Sequence, residues 1–417
     1  MDTCQRIHLN QSIGREHTLD KSALKDRIVE IVDRGAEELW EAALEMHANP
    51  ELGHQEYRAA ELLSGMLESA GFEVARKVAG METSFLAEKS FGEGEGYTIA
   101  ILAEYDALPG MGHACGHNII GASGVGAGIA LLPVLDDLAA AGFSGKLLVM
   151  GAPAEEGAVD DAGGKVLMVE AGLFEDVDCA MMIHPSAING IGGRSLAREA
   201  MEITYHGKSS HAAASPERGR NALDAAIQTF NGWNALRQHV TEDVRIHGII
   251  TEGGQSPNIV PAISRIRMYA RAAEVDYLDE VVGRVKDCAE GGARAAGCTV
   301  EFRNTANRYA NMKPNLSLAG SYAENFRLLG ETIDETLRGG GSTDMGNVSQ
   351  VVPSIHPYVA IVPPSIAGHS IEFGEAAASD EGRKAMLLGA KALAMTAVDC
   401  FTDSDLQAQM AKEFKET

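Results

Sequence analysis

The residues able to do chemistry gather first at Gly112-His113-Ala114-Cys115-Gly116-His117-Asn118. A thiolate and an imidazole two residues apart can reach one borderline-soft metal ion, and Gly116 between them lets the backbone curl around it. Ala152-Pro153-Ala154-Glu155-Glu156-Gly157 offers adjacent glutamates. One of such a pair can bind metal while its neighbour takes a proton from an activated water. Ile183-His184-Pro185 and Gly368-His369-Ser370 supply two more imidazoles. Taken singly, each site admits a plainer reading: a buried structural cysteine, a solvated acidic loop, hydrogen-bonded loop histidines. Together, Cys115, His117, Glu156, His184 and His369 make five donors, enough for two metal ions sharing a bridge. Glu155 is left over as a base.

The elements that must hold these residues read as an α/β fold. Apolar spacing predicts a helix over 21–46, closed by Pro50, and a second over 57–70, stopped by Gly71. Strands are expected near 72–78, 97–103, 146–152 and 178–183, with helices over 118–141 and 164–171 between them. Such alternation suggests a mostly parallel sheet covered on both faces. The paired glutamates, His184 and His369 then fall at the carboxyl ends of strands, where open α/β sheets place their ligands. From about residue 198 the rhythm becomes strand, helix, strand, strand, helix, strand, the order of a ferredoxin-like module. The expected organisation is therefore a catalytic domain in two parts, 1–197 and 311–417, with an inserted module over 198–310. The charged tail from Asp403 reads as a frayed helix.

A chain of 417 residues exceeds one average core, and its ordinary apolar content with abundant glycine suits an α/β enzyme. The formal charge of −24 argues against nucleic acid as a partner. Six scattered cysteines (Cys4, Cys115, Cys179, Cys288, Cys298, Cys400) point to a reducing compartment, and a cytoplasmic location is expected. The polar start, Met1 to Asp20, shows no apolar signal core. The run Ile119 to Leu135, broken by glycines and Pro133, reads as too weak to span a bilayer, so no membrane partner is expected.

Several ordered motifs resemble the co-catalytic metallopeptidase superfamily of aminoacylases and glutamate carboxypeptidases. They are His47-Ala48-Asn49-Pro50, Tyr105-Asp106-Ala107-Leu108-Pro109, His113 to His117, Glu155-Glu156, Ser210-His211-Ala212-Ala213, Gly253 to Pro261, Gly341 to Gly346 and Gly368-His369-Ser370. The likeness is nearest to the amidohydrolase branch with auxin-conjugate hydrolases, p-aminobenzoyl-glutamate hydrolase subunits and dipeptidases acting on basic C-terminal residues. It implies that Cys115, His117, Glu156, His184 and His369 bind two divalent metals, zinc or manganese, and that Glu155 is the general base. It implies that Asp106 orients a ligand, and that His211 stabilises the oxyanion from a lid that also forms a homodimer. Asn258 and Arg271 would hold a substrate carboxylate, for which a guanidinium fork is suited. Two departures from the branch, Asn118 after Cys115-Gly116-His117 and Ser342-Thr343-Asp344, bear on the substrate rather than the reaction.

The leading expectation is a metal-dependent amidohydrolase that cleaves an N-acyl or N-aroyl amino acid or a dipeptide, p-aminobenzoyl-glutamate-like. A second is hydrolytic deamination of a small aryl amine, or attack on another non-peptide C–N bond, at the same site. A third, of another class, is a non-catalytic metal or small-molecule binding protein, which loss of a ligand would favour. Gly121 to Gly128 lacks the Gly-x-Gly-x-x-Gly spacing of a nucleotide site and fits close helix packing instead.

Overall fold

The structure, a computed structural model, describes residues 19–417 apart from residue 158. The polar leader before Leu19, with Cys4, lies outside the described residues. Two of the first three helices, Lys21–Arg34 and Ala36–Ala48, occupy the segment expected to be one. Asp20 caps the first through its carboxylate, and Gly35 at φ −85°, ψ 3° separates the two. Glycine's low helix propensity is the reason for the division.

The main sheet has six strands in the order Glu73–Arg76, Phe85–Phe91, Gly145–Gly151, Tyr97–Ala103, Cys179–Met181 and Ser354–Ile355. The first three pair antiparallel and the remaining contacts are parallel. Tyr97–Ala103 is buried almost throughout, as the middle of a helix-covered sheet requires. A two-stranded parallel pair, His184–Ser186 with Tyr358–Ala360, continues beyond the Cys179–Met181 end.

Helix His117–Ala140 lies directly behind the sheet. Cβ atoms at Gly124 and Gly128 would stand 2.9 Å from the Leu102 carbonyl and 2.5 Å from Val149 Cγ2, so its glycines permit that approach. Pro133 sits inside this helix rather than breaking it. By length and composition His117–Ala140 and Asp380–Thr402 could each cross a membrane, which corrects the expectation for the first. In the fold they are core helices, with 83% and 72% of their most apolar windows buried.

A second sheet follows the order Thr299–Asn304, Ala197–His206, Ile263–Ala272, Arg245–Glu252, antiparallel throughout. Helices Ala222–Leu236 and Val275–Ala296 cover one face around Trp233, Leu278 and Val285, a core separate from that of the main sheet. This is the ferredoxin-like order. The last two helices are Asp380–Thr402 and Ser404–Glu416; the second, expected as a frayed helix, is capped by Asp403.

Candidate active site

The site forms at the carboxyl ends of Tyr97–Ala103, Gly145–Gly151 and the Cys179–Met181 segment, as the strand alternation anticipated. Gly116 starts the long helix at φ 79°, and a Cβ there would stand 2.8 Å from Pro185 Cγ. Only glycine lets the Cys115–His117 corner abut the residue after His184. Donor atoms of Cys115, His117 and His184 accordingly lie within 4.8 Å of one another, as do those of Cys115, Glu156 and His369, and of His117, Glu155 and Glu156. His184 turns Nδ1 to the Pro185 carbonyl at 2.6 Å and leaves Nε2 3.5 Å from Cys115 Sγ. His369 adopts a left-handed backbone, φ 59°, with its N–H donating to the Ala114 carbonyl, and brings Nε2 to 3.6 Å from Glu156 Oε1.

Asp106 ties two of these groups together. Its Oδ1 accepts from His117 Nδ1 at 2.8 Å and its Oδ2 from the Glu156 N–H at 2.9 Å. That fixes the His117 tautomer so that Nε2 faces the cluster. Ala154, at φ 56°, precedes the glutamates and donates its N–H to Glu56 Oε1 at 2.8 Å. Such a conformation is uncommon for alanine and turns the following side chains into the site.

Among the described residues, three buried atoms of this cluster lack hydrogen-bond partners: His117 Nε2, Glu156 Oε1 and Glu104 Oε2. They converge, with His117 Nε2 3.8 Å from Glu156 Oε1 and 3.6 Å from Glu104 Oε2. Unpaired buried acceptors are costly, and a divalent cation among them would satisfy all three. Burial pushes the Cys115 thiol well above its usual range, so its thiolate also calls for a neighbouring cation. Burial, then His117, holds His184 down to about 4, a neutral imidazole suited to ligation. Burial, then Glu104 and Glu156, pushes the Glu155 carboxyl up. The residues present fit bound metal.

The donors open onto a cavity of about 530 Å3 lined also by Arg194, Arg198, Tyr269, Arg271, Tyr309 and His356. Arg271 reaches it from the four-stranded sheet and donates to Ser342 Oγ at 2.8 Å. His211 and Asn258 are not brought there in the same chain. Both are exposed, adjacent across the bridge between His211 and Ile259, and His211 Nδ1 accepts from Ala213 and Ala214 N–H groups. Sequence reasoning passed over His356, Glu104, Lys165 and Arg198. His356 is buried with Nε2 unpartnered and its ring 5.4 Å from that of His184; burial, then His184, holds it down to about 3. Glu104 and Asp344 sandwich the fully buried Lys165 ammonium. Arg198 lies over Tyr309. Glu104 alone carried a legible signal, two residues before Asp106 at a strand end.

A family model for a peptidase dimerisation domain matches residues 199–296. The Xaa-Arg dipeptidase of Mus musculus is 40% identical over 413 residues, covering 96% of this chain and 94% of that protein. One of the p-aminobenzoyl-glutamate hydrolase subunits of Escherichia coli K12 is 31% identical over 460 residues, covering 91% of each chain. Among solved structures, a dinuclear metal-binding peptidase of the M20 family from Bacillus subtilis superposes with TM-score 0.62 at 20% identity, covering 91% of this chain and 99% of that one. The aminobenzoyl-glutamate utilization protein of Klebsiella pneumoniae gives 0.71 at 19% identity, covering 90% and 98%. The inserted sheet, the strand-end donors and these full-length relatives agree that the chain belongs to the M20 metallopeptidases, hydrolases of amide bonds, in the branch of the Xaa-Arg dipeptidases and p-aminobenzoyl-glutamate hydrolase subunits.

Proposed function

We propose that this chain hydrolyses the amide bond of an N-acyl or N-aroyl amino acid or a dipeptide, p-aminobenzoyl-glutamate-like, with Glu155 as general base. The observation that carries the reading is the position of Glu155. Its Oε2 lies 4.0 Å from His117 Nε2, inside the donor cluster and at the wall of the cavity. Cys115, His117, Glu156, His184 and His369 would hold two divalent ions, zinc or manganese. When bound, these supply Lewis-acid polarisation of the scissile carbonyl and lower the pKa of water towards ~7. Glu155 takes a proton from the attacking water and delivers it to the departing nitrogen as the C–N bond breaks. Asp106 keeps His117 oriented, and Arg271 holds the substrate's carboxylate.

His211 and Asn258, outside the cavity of their own chain, are assigned to the cavity of a second copy. There His211 would donate to the oxyanion. Residues 198–310 then serve as lid and dimer contact, and 1–197 with 311–417 as the catalytic part. The match to a dimerisation domain supports that arrangement. Sizing that finds a fully active monomer would remove it. A reducing compartment such as the cytoplasm suits a site that uses Cys115 as a thiolate.

The test is turnover on a panel of amides, p-aminobenzoyl-glutamate, N-acyl amino acids and dipeptides, with aryl amines beside them for deamination, after chelation and refilling with zinc or manganese. Metal-dependent hydrolysis that falls by about 10²- to 10⁴-fold in Glu155→Gln is expected. Full activity in that variant, or none of the panel cleaved by the refilled protein, would overturn the proposal.

A further inference from the structure

Among the described residues, two of the three guanidinium groups that line the cavity, Arg198 and Arg271, pair with no carboxylate, while the third, Arg194, is exposed. Arg198 is 4% exposed, and its Nε and Nη2 have no hydrogen-bond partner. Arg271 is its cross-strand partner in register, and Arg271 Nε is unpartnered as well. Like charges set directly opposite across two strands repel, and an unpaired buried charge is more costly still. Burial, then Arg198, holds the Arg271 guanidinium below the usual arginine range.

Arg198 is nevertheless held firmly. Its guanidinium lies 3.8 Å from the ring centroid of Tyr309 and 5.2 Å from that of Tyr269. Cation–π contact favours that seat. The two tyrosine hydroxyls donate to the carbonyls of Glu155 and Gly157, so the platform rests on the backbone either side of Glu156. Space for it is reserved at Gly157, where a Cβ would stand 2.1 Å from Arg198 Nη1. A locked, unpaired cation lining the substrate cavity is complementary to an anion that arrives from outside.

We propose that Arg198 and Arg271 take the two carboxylates of a dicarboxylic amino-acid portion, Arg271 the α-carboxylate and Arg198 an acidic side chain. The substrate is then an N-acylated glutamate or aspartate rather than a chain ending in a basic residue. This rests on the amidohydrolase reading of the same cavity. One carboxylate shared by both arginines would leave one of the two guanidinium charges unmatched, and a cationic side chain would bring a like charge beside them.

The test is calorimetric binding of L-glutamate, L-glutamine and L-lysine, product-like probes, to the zinc-loaded full-length protein. Glutamate is expected to bind about 10- to 100-fold more tightly than glutamine, the difference a charge-assisted contact makes, and lysine more weakly than either. Arg198→Met should erase the preference for glutamate over glutamine without weakening glutamine, whereas Arg271→Met should weaken both. If Arg198→Met does not fold by circular dichroism, Gly157→Ala, which displaces Nη1 and keeps the charge, should erase the same preference. Equal wild-type affinities, a preference for lysine, no binding of any probe, or equal losses for glutamate and glutamine in Arg198→Met would overturn the proposal. Amide turnover is scored separately. Selective glutamate binding without hydrolysis of any amide would refute the enzymatic reading and support the anion subsite. Hydrolysis confined to dipeptides ending in lysine or arginine would do the reverse.

Discussion

Replacing Asp106 by asparagine removes one charge and changes one atom, yet it should weaken metal binding. Both carboxylate oxygens are acceptors in the structure, one for His117 Nδ1–H and one for the Glu156 N–H. An asparagine can present an oxygen to only one of them, and its NH2 then faces a donor across less than 3 Å. If the oxygen stays on His117, the Glu156 N–H is left buried and unsatisfied, at a cost of about 1–3 kcal/mol. If it turns to Glu156, the imidazole loses a charge-assisted bond worth about 1.5–3 kcal/mol and with it the reason to keep Nε2 facing the cluster. Either way the ligand geometry loosens, and metal affinity should fall about 10- to 100-fold. The assay is competition for zinc against a chromogenic chelator, with circular dichroism to verify the fold. An Asp106→Asn protein that folds and binds zinc as tightly as wild type would refute this role, because the carboxylate would then be a turn cap and nothing more.

Two other perturbations follow from buried charge. Lys165→Met leaves Glu104 and Asp344 facing each other without their shared cation, and should cost about 3–5 kcal/mol. The denaturant midpoint reads this, and an unchanged midpoint would mean the network contributes nothing net. Glu56 is held up to about 7 by burial, with Asp106 second, against an ordinary value of 4.5. A carboxyl raised in the folded state favours folding while protonated, so its contribution is complete below about pH 4.5 and is lost as pH rises through about 7, roughly 3 kcal/mol across that window. Comparing urea midpoints of wild type and Glu56→Gln from pH 5 to 8 should show this slope only in wild type, and parallel profiles would count against it.

Much of the fold was legible because its signals are local. Buried central strands such as Tyr97–Ala103 are continuous apolar runs, and Gly116, Pro185 and the strand-end histidines sit where the alternation of elements puts a ligand site. Phe85–Phe91 escaped because Glu88, Lys89 and Ser90 occupy its middle, and only its place at the partly solvated side of the sheet explains them. The break at Gly35 escaped because one glycine amid good apolar spacing is a weak stop. Within the site, the five candidate donors and Glu155 could be picked out as residue types able to ligate or titrate. Arg198 could not. Its environment is made by Tyr269, Arg271 and Tyr309, all far along the chain, and nothing near Arg198 distinguishes it from a solvated strand arginine. His211 and Asn258 show the opposite limit, for a motif can nominate a residue without saying which copy of the cavity it serves.

The donor cluster also imposes an order in time. Cys115, His117, Glu156 and His184 lie in the first half of the chain, while His369 and the strand that pairs with His184, Tyr358–Ala360, come near its end. Between them the ribosome must make the whole four-stranded sheet, a delay on the order of ten seconds or more at ordinary elongation rates. In a nascent chain, four of the five donors, the thiol among them, are therefore made well before His369. If these residues hold metal, the choice between ions would begin during synthesis, while the cluster still lacks its last donor.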